Sequence, residues 1–159
     1  MKIPQLLLLL LATGCTKPDP VPPEPECTIA TKLVPGIPGS PGHLLPSDIN
    51  SNGASELAAL MREMKADLEK ARTLIAEGKP VPAMHARHRK MRCAWPTSLD
   101  DRTPTFEQSA ITYLSLVKAL DEKPSVNSLN GVVSGCLACH ATACPGPIPV
   151  IEKLKMLPN

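Results

Sequence analysis

Large aromatic side chains are almost missing from this chain, which has one Trp, one Tyr and one Phe in 159 residues. A small domain without them has little bulky apolar surface to bury, and a bulky apolar ligand in its core would offset part of that shortfall. Neither charge sign dominates: 17 Lys and Arg stand against 15 Asp and Glu, a formal net charge of +2. That balance gives no electrostatic case for nucleic acid as a partner. Alternating strand patterns are missing after residue 50, which points away from a sheet. No paired carboxylates, nucleophile–base set or phosphate-binding loop stands out, so no catalytic role is expected.

The chain opens "MKIPQLLLLLLATGC", with Lys2, an apolar run from Leu6 to Ala12, and small residues before Cys15. This is the layout of a secretory signal peptide over residues 1–14, with a run too short to span a bilayer. Ala12-Thr13-Gly14-Cys15 resembles the lipobox of bacterial lipoproteins, although Ala12 stands where Leu is commoner. The resemblance implies cleavage before Cys15, lipidation of Cys15 and a periplasmic, membrane-anchored protein. Thr16 in place of Asp implies the outer membrane. Nine of the nineteen prolines lie between Thr16 and Pro46, so residues 15–47 are expected to form a disordered, extended Pro-rich tether. Residues 48–159 then form the one folded domain, ending in a Pro-rich tail.

Helical periodicity dominates that domain. Leu57, Leu60, Met61, Met64, Leu68, Ala71 and Ile75 recur at spacings of three and four, and Gly78 with Pro80 marks the end of the helix. Thr103-Pro104 is a cap followed by a first-turn proline, and it opens a stripe of Phe106, Ala110, Tyr113, Val117 and Leu120. Ser125 caps a last helix with the stripe Val126, Leu129, Val133, Cys136 and His140, stopped by Pro145, Pro147 and Pro149. Between the first two lies "PAMHARHRKMRCAW", a shorter and weaker helix with Met84, His88 and Met91 at core spacing. Its His85 and His88 are expected to be exposed. The expected fold is all-α, an antiparallel four-helix bundle.

The densest chemistry is Cys136-Leu-Ala-Cys139-His140. At about 100° per residue, positions 136, 139 and 140 share one helix face. Cys-x-x-Cys-His is the attachment signature of c-type haem: Cys136 and Cys139 form thioethers to the vinyl groups and His140 ligates the iron. A thioredoxin-type dithiol would need a preceding strand, and structural zinc a second compact ligand pair.

A helical domain whose last helix carries this motif resembles the class II c-type cytochromes, the cytochrome c-prime group, over about Ser55 to Ala143. The resemblance implies a four-helix bundle with one covalent haem c. It also implies a distal side formed by the first helix, where low-spin members supply a Met as sixth iron ligand. Met61 fits that role, with Met64 and His43 (in "PGHLLPSD") as alternatives, or an open site. Implied partners are redox proteins, with a homodimer possible in this family. Gly131 and Gly135 would let backbone approach a macrocycle. Arg87, Arg89, Lys90 and Arg92 would serve propionates or an acidic partner.

Three thiols remain, Cys27, Cys93 and Cys144, allowing three pairings. Cys27–Cys144 is slightly preferred, Cys93–Cys144 is the alternative, and a free Cys144 is nearly as favoured. Three functions are compatible with these features: a periplasmic monohaem electron carrier, a five-coordinate haem module for nitric oxide or carbon monoxide, and a non-haem lipoprotein with a structural zinc or disulfide cluster.

Overall fold

Ser55 starts the first helix because its hydroxyl, with the backbone still extended, accepts from the Ala58 amide at 3.1 Å. Helix α1 then runs Glu56–Ala76, and Leu57, Leu60, Met64, Leu68 and Ala71 are buried along its inward face. The computed structural model describes residues 26–157; the expected signal peptide, Cys15 and the first part of the tether lie outside the described residues.

Helix α3, Pro104–Glu122, begins where Thr103 accepts from the Phe106 amide. Helix α4, Val126–Ala143, begins at a reciprocal Ser125–Ser128 capping box. The link Lys123–Ser125 is too short for anything but a hairpin, and the side chains agree. A Cβ on Gly135 would stand 2.9 Å from Leu116 Cδ1, and one on Gly131 would stand 3.7 Å from Leu116 Cδ2. Gly135 also lies against Tyr113, one turn earlier on α3. Rising α4 numbers therefore meet falling α3 numbers. Gly135 is tight against α3, where glycine permits a close helix–helix approach.

The fold is all-α. Among the described residues the Leu45–Ala54 pair is an isolated bridge, no strand forms, and no helix is long and apolar enough to cross a membrane. The weak helix expected over residues 82–95 is reduced to one turn, α2 His85–His88, followed by a 3₁₀ turn Arg89–Arg92. Asp121 anchors that turn from α3, its carboxylate accepting from the Met84 and His85 amides at 2.9 Å. Met84 and Met91 are buried as their spacing predicts, and His88 is buried with them. The Pro-rich C-terminal tail holds a short helix: α5, Ile148–Glu152, buries Ile151, and Leu154 is buried just beyond it. Asn130 on α4 pins the end of the tail, bonding both backbone groups of Met156 at 2.8 and 2.9 Å.

The core lies where α1, α3 and α4 meet, and Leu129 is wholly buried in it. Leu129→Ala is expected to lower unfolding free energy by about 2–5 kcal/mol, from lost transfer energy and the cavity left behind. Urea denaturation measures this, and a loss of about 0.5 kcal/mol or less would remove Leu129 from the core.

Residues 27–47 do not hang as a tether. They contain no helix, but besides the Leu45–Ala54 bridge they are fastened to the domain by a disulfide and by hydrogen bonds. Cys27 is joined to Cys93 in a disulfide with Cα atoms 5.2 Å apart. The Arg102 guanidinium donates to the carbonyls of Thr28, Ile29 and Thr31. The Trp95 indole N–H donates to Val34 O at 2.7 Å. The Glu56 amide donates to Gly39 O at 3.1 Å. Gly39 is required at that last point, because its φ is +88° and any Cβ would collide with the Glu56 backbone.

Candidate functional site

Cys136, Cys139 and His140 project from the last turns of α4 into one cleft, and Met61 and Met64 of α1 line it too. The floor is completed by Leu68, Met91, Tyr113, Ile151 and Leu154, so the lining is mostly apolar. The expected thiol pair, the imidazole and the two methionines are brought together by α1 and α4. His43 is not; it is exposed in a turn that bonds Gly39 and Ser40 and takes no part in the cleft.

Each sulfur has a definite chemistry. Burial pushes the Cys136 thiol up to about 12, with Cys139 adding to the effect. Burial also raises Cys139, while Ser109 of α3 opposes the shift. Both are therefore neutral thiols near pH 7, the opposite of the depressed pKa that marks a reactive redox dithiol. Thioethers are neutral and apolar, so this environment suits them.

The imidazole is oriented by its own helix end. His140 Nδ1 lies 2.8 Å from the Cys144 carbonyl oxygen. A carbonyl can only accept, so Nδ1 carries the proton and Nε2 keeps its lone pair. A backbone carbonyl holding one ring nitrogen so that the other can bind metal is the usual support for a ligating histidine.

The donor set fits haem c: Cys136 and Cys139 would carry the thioether links, and His140 with a methionine thioether would hold the iron. The enclosed space is about 60 Å³, about two waters' worth. Among the described residues no group of three or more His, Cys, Asp or Glu converges as a metal site in its own right.

The cysteine pairing differs from the preferred one. Cys27 bonds Cys93, and Cys144 is free and exposed at the end of α4. The strap carries Cys27 to the 3₁₀ turn ending at Arg92, and Cys144 is left to cap α4 with its backbone.

His88 also departs from expectation. It is completely buried, with Nε2 3.1 Å from Asp67 Oδ2 and Nδ1 2.9 Å from the Tyr113 hydroxyl. Two members of the basic run are committed internally: Arg87 pairs with Asp67 at 2.7 Å, and Arg92 pairs with Glu107. The Arg92 bond holds the Glu107 carboxyl below its ordinary value. Arg92 is thereby taken out of the rim, while Arg87 stays half-exposed beside Asp67. The signal for His88 was its place on the Met84–Met91 stripe; its partners lie 21 and 25 residues away.

No family model, curated protein or solved structure matches this chain.

Proposed function

We propose that this protein is a periplasmic, lipid-anchored monohaem c-type cytochrome that carries single electrons between redox partner proteins. In this reading α1, α3 and α4, with the single turn α2 in the place of a fourth helix, correspond to an antiparallel bundle of the class II type, and Cys15 bears the lipid. The observation that carries the proposal is the convergence of Cys136, Cys139 and His140 with Met61 and Met64 on one apolar cleft.

Bound haem c supplies a one-electron iron couple. The chain supplies the rest. Cys136 and Cys139 fix the edge of the group, and the Cys144 carbonyl holds His140 with the Nε2 lone pair free for ligation. The apolar floor lowers the local dielectric, and a methionine thioether ligand would raise the potential. Lys65 at the cleft is already bonded to Glu69 at 2.7 Å, so the lining contributes little unpaired charge.

The test is the visible spectrum of protein matured with the haem-attachment machinery. Haem that stays with the polypeptide after denaturation, with sharp α and β bands in the reduced native protein, is the expected result. A broad high-spin reduced spectrum would instead support the five-coordinate nitric oxide or carbon monoxide module. Loss of all colour on denaturation would exclude both and return the motif to a structural zinc or disulfide role.

A further inference from the structure

Three polar side chains run from the cleft wall to the surface, and haem attachment uses none of them. Tyr113, the only tyrosine in the chain, stands in the cleft wall with its Cδ2 3.8 Å from the Cβ position of Gly135, next to Cys136. Its hydroxyl meets His88 Nδ1 at 2.9 Å, and His88 Nε2 meets Asp67 at 3.1 Å. Asp67 keeps its side chain 16% exposed, while His88 is 0% exposed. The donors are fixed by chemistry. An ionised carboxylate only accepts, so Nε2–H donates to Asp67, and Nδ1 accepts from the Tyr113 O–H.

An apolar residue would fill the His88 position without the desolvation cost of an imidazole. The charged and titratable groups facing it are Asp67 from α1, Arg87 from its own turn, and Tyr113 and Asp121 from α3. Cys136 of α4 stands behind Tyr113. Burial dominates and lowers the imidazole pKa from 6.5; the Asp67 hydrogen bond and charge oppose the shift, Arg87 adds to it, and Asp121 opposes it more weakly. The ring is neutral near pH 7 and has an acidic route to water at Asp67.

We propose that His88 is the proton-exchanging group of this cleft, taking up one proton from solvent by way of Asp67 when the cleft gains one electron. The inference rests on the haem reading. One electron enters from a reduced one-electron carrier protein and one proton enters from water, so the net charge of the interior is unchanged; oxidation reverses both. An added negative charge in a low-dielectric interior raises the proton affinity of a neutral imidazole nearby. Tyr113 is a positioning residue: once His88 is protonated, Nδ1–H donates to the phenolic oxygen, which turns from donor to acceptor.

Linkage gives the sign. His88 binds its proton more tightly in the reduced protein, so its reduced-state pKa lies above its oxidised-state pKa. Between those two values the potential falls as pH rises, and outside them it is flat. For one proton per electron, a tenfold change in proton activity corresponds to at most about 59 mV. Because burial lowers the starting pKa, the interval begins below 6.5.

The experiment is a redox titration of the full chain with covalent haem over about pH 4.5–8.5, a range bracketing the ordinary histidine value. The His88 ring is followed by NMR in both oxidation states. The expected result is a sloping potential in the parent protein, a flat one in His88→Gln, and a proton gained by the imidazole on reduction. Asp67→Asn is expected to move the sloping region to lower pH, because the carboxylate favouring the cation is gone; this variant carries the test if His88→Gln does not fold. A parent potential independent of pH, or a slope unchanged in the variants, overturns the inference and leaves the haem reading standing. Protein that acquires no covalent haem overturns both.

Discussion

Replacing Cys27 and Cys93 together by alanine is expected to lower the unfolding free energy by about 4 kcal/mol. The bond closes a loop across a sequence separation of 66 residues, and a cross-link of that span removes much of the freedom of the unfolded chain. For a domain of this size the melting temperature should fall by about 10–20 °C. Part of the strap should outlast the bond. The Arg102 contacts to Thr28, Ile29 and Thr31, and the Trp95 bond to Val34, do not depend on it. Thermal unfolding of the double variant beside the parent protein, both kept oxidised, is the measurement. Equal midpoints would mean that the pair is not bonded or does not bear on folding.

The second expectation separates the two methionines. Met61 is only partly buried at the edge of the core cluster, while Met64 is 6% exposed within it. A side chain at the cluster edge can turn toward a ligand without leaving a hole behind. Met61→Ala should therefore convert a low-spin reduced spectrum to a high-spin one at little cost in stability. Met64→Ala should do the reverse, keeping the spectrum and losing about 2–5 kcal/mol. Spectra and urea curves of both variants decide it, and a spectral change confined to Met64→Ala would reassign the ligand.

The helices were legible because their signals are local. Ser55, Thr103 and Ser125 each cap within three residues of themselves, and the stripes of α1, α3 and α4 repeat within a single element. The motif could be placed on α4 for the same reason. Contacts between distant residues escaped, because no periodicity announces them. Arg102 meets carbonyls more than 70 residues away and Trp95 one 61 residues away. A proline-rich run therefore looked like a free tether when much of it is fastened down. His88 was visible as a stripe position, but its basic neighbours suggested solvent, and only the fold supplies Asp67 and Tyr113. The cysteine pairing was combinatorial, and geometry alone selects among the three choices.

The disulfide also sets how far the domain can stray. With the lipid proposed at Cys15, the disulfide at Cys27 lies twelve residues along, a stretch that spans at most about 40 Å. A tether free as far as residue 47 would have reached about 110 Å. On the proposed anchoring, the clasp would confine the cleft to a thin layer over the membrane. Partners embedded in that membrane, or resting on it, are the ones the cleft can meet often.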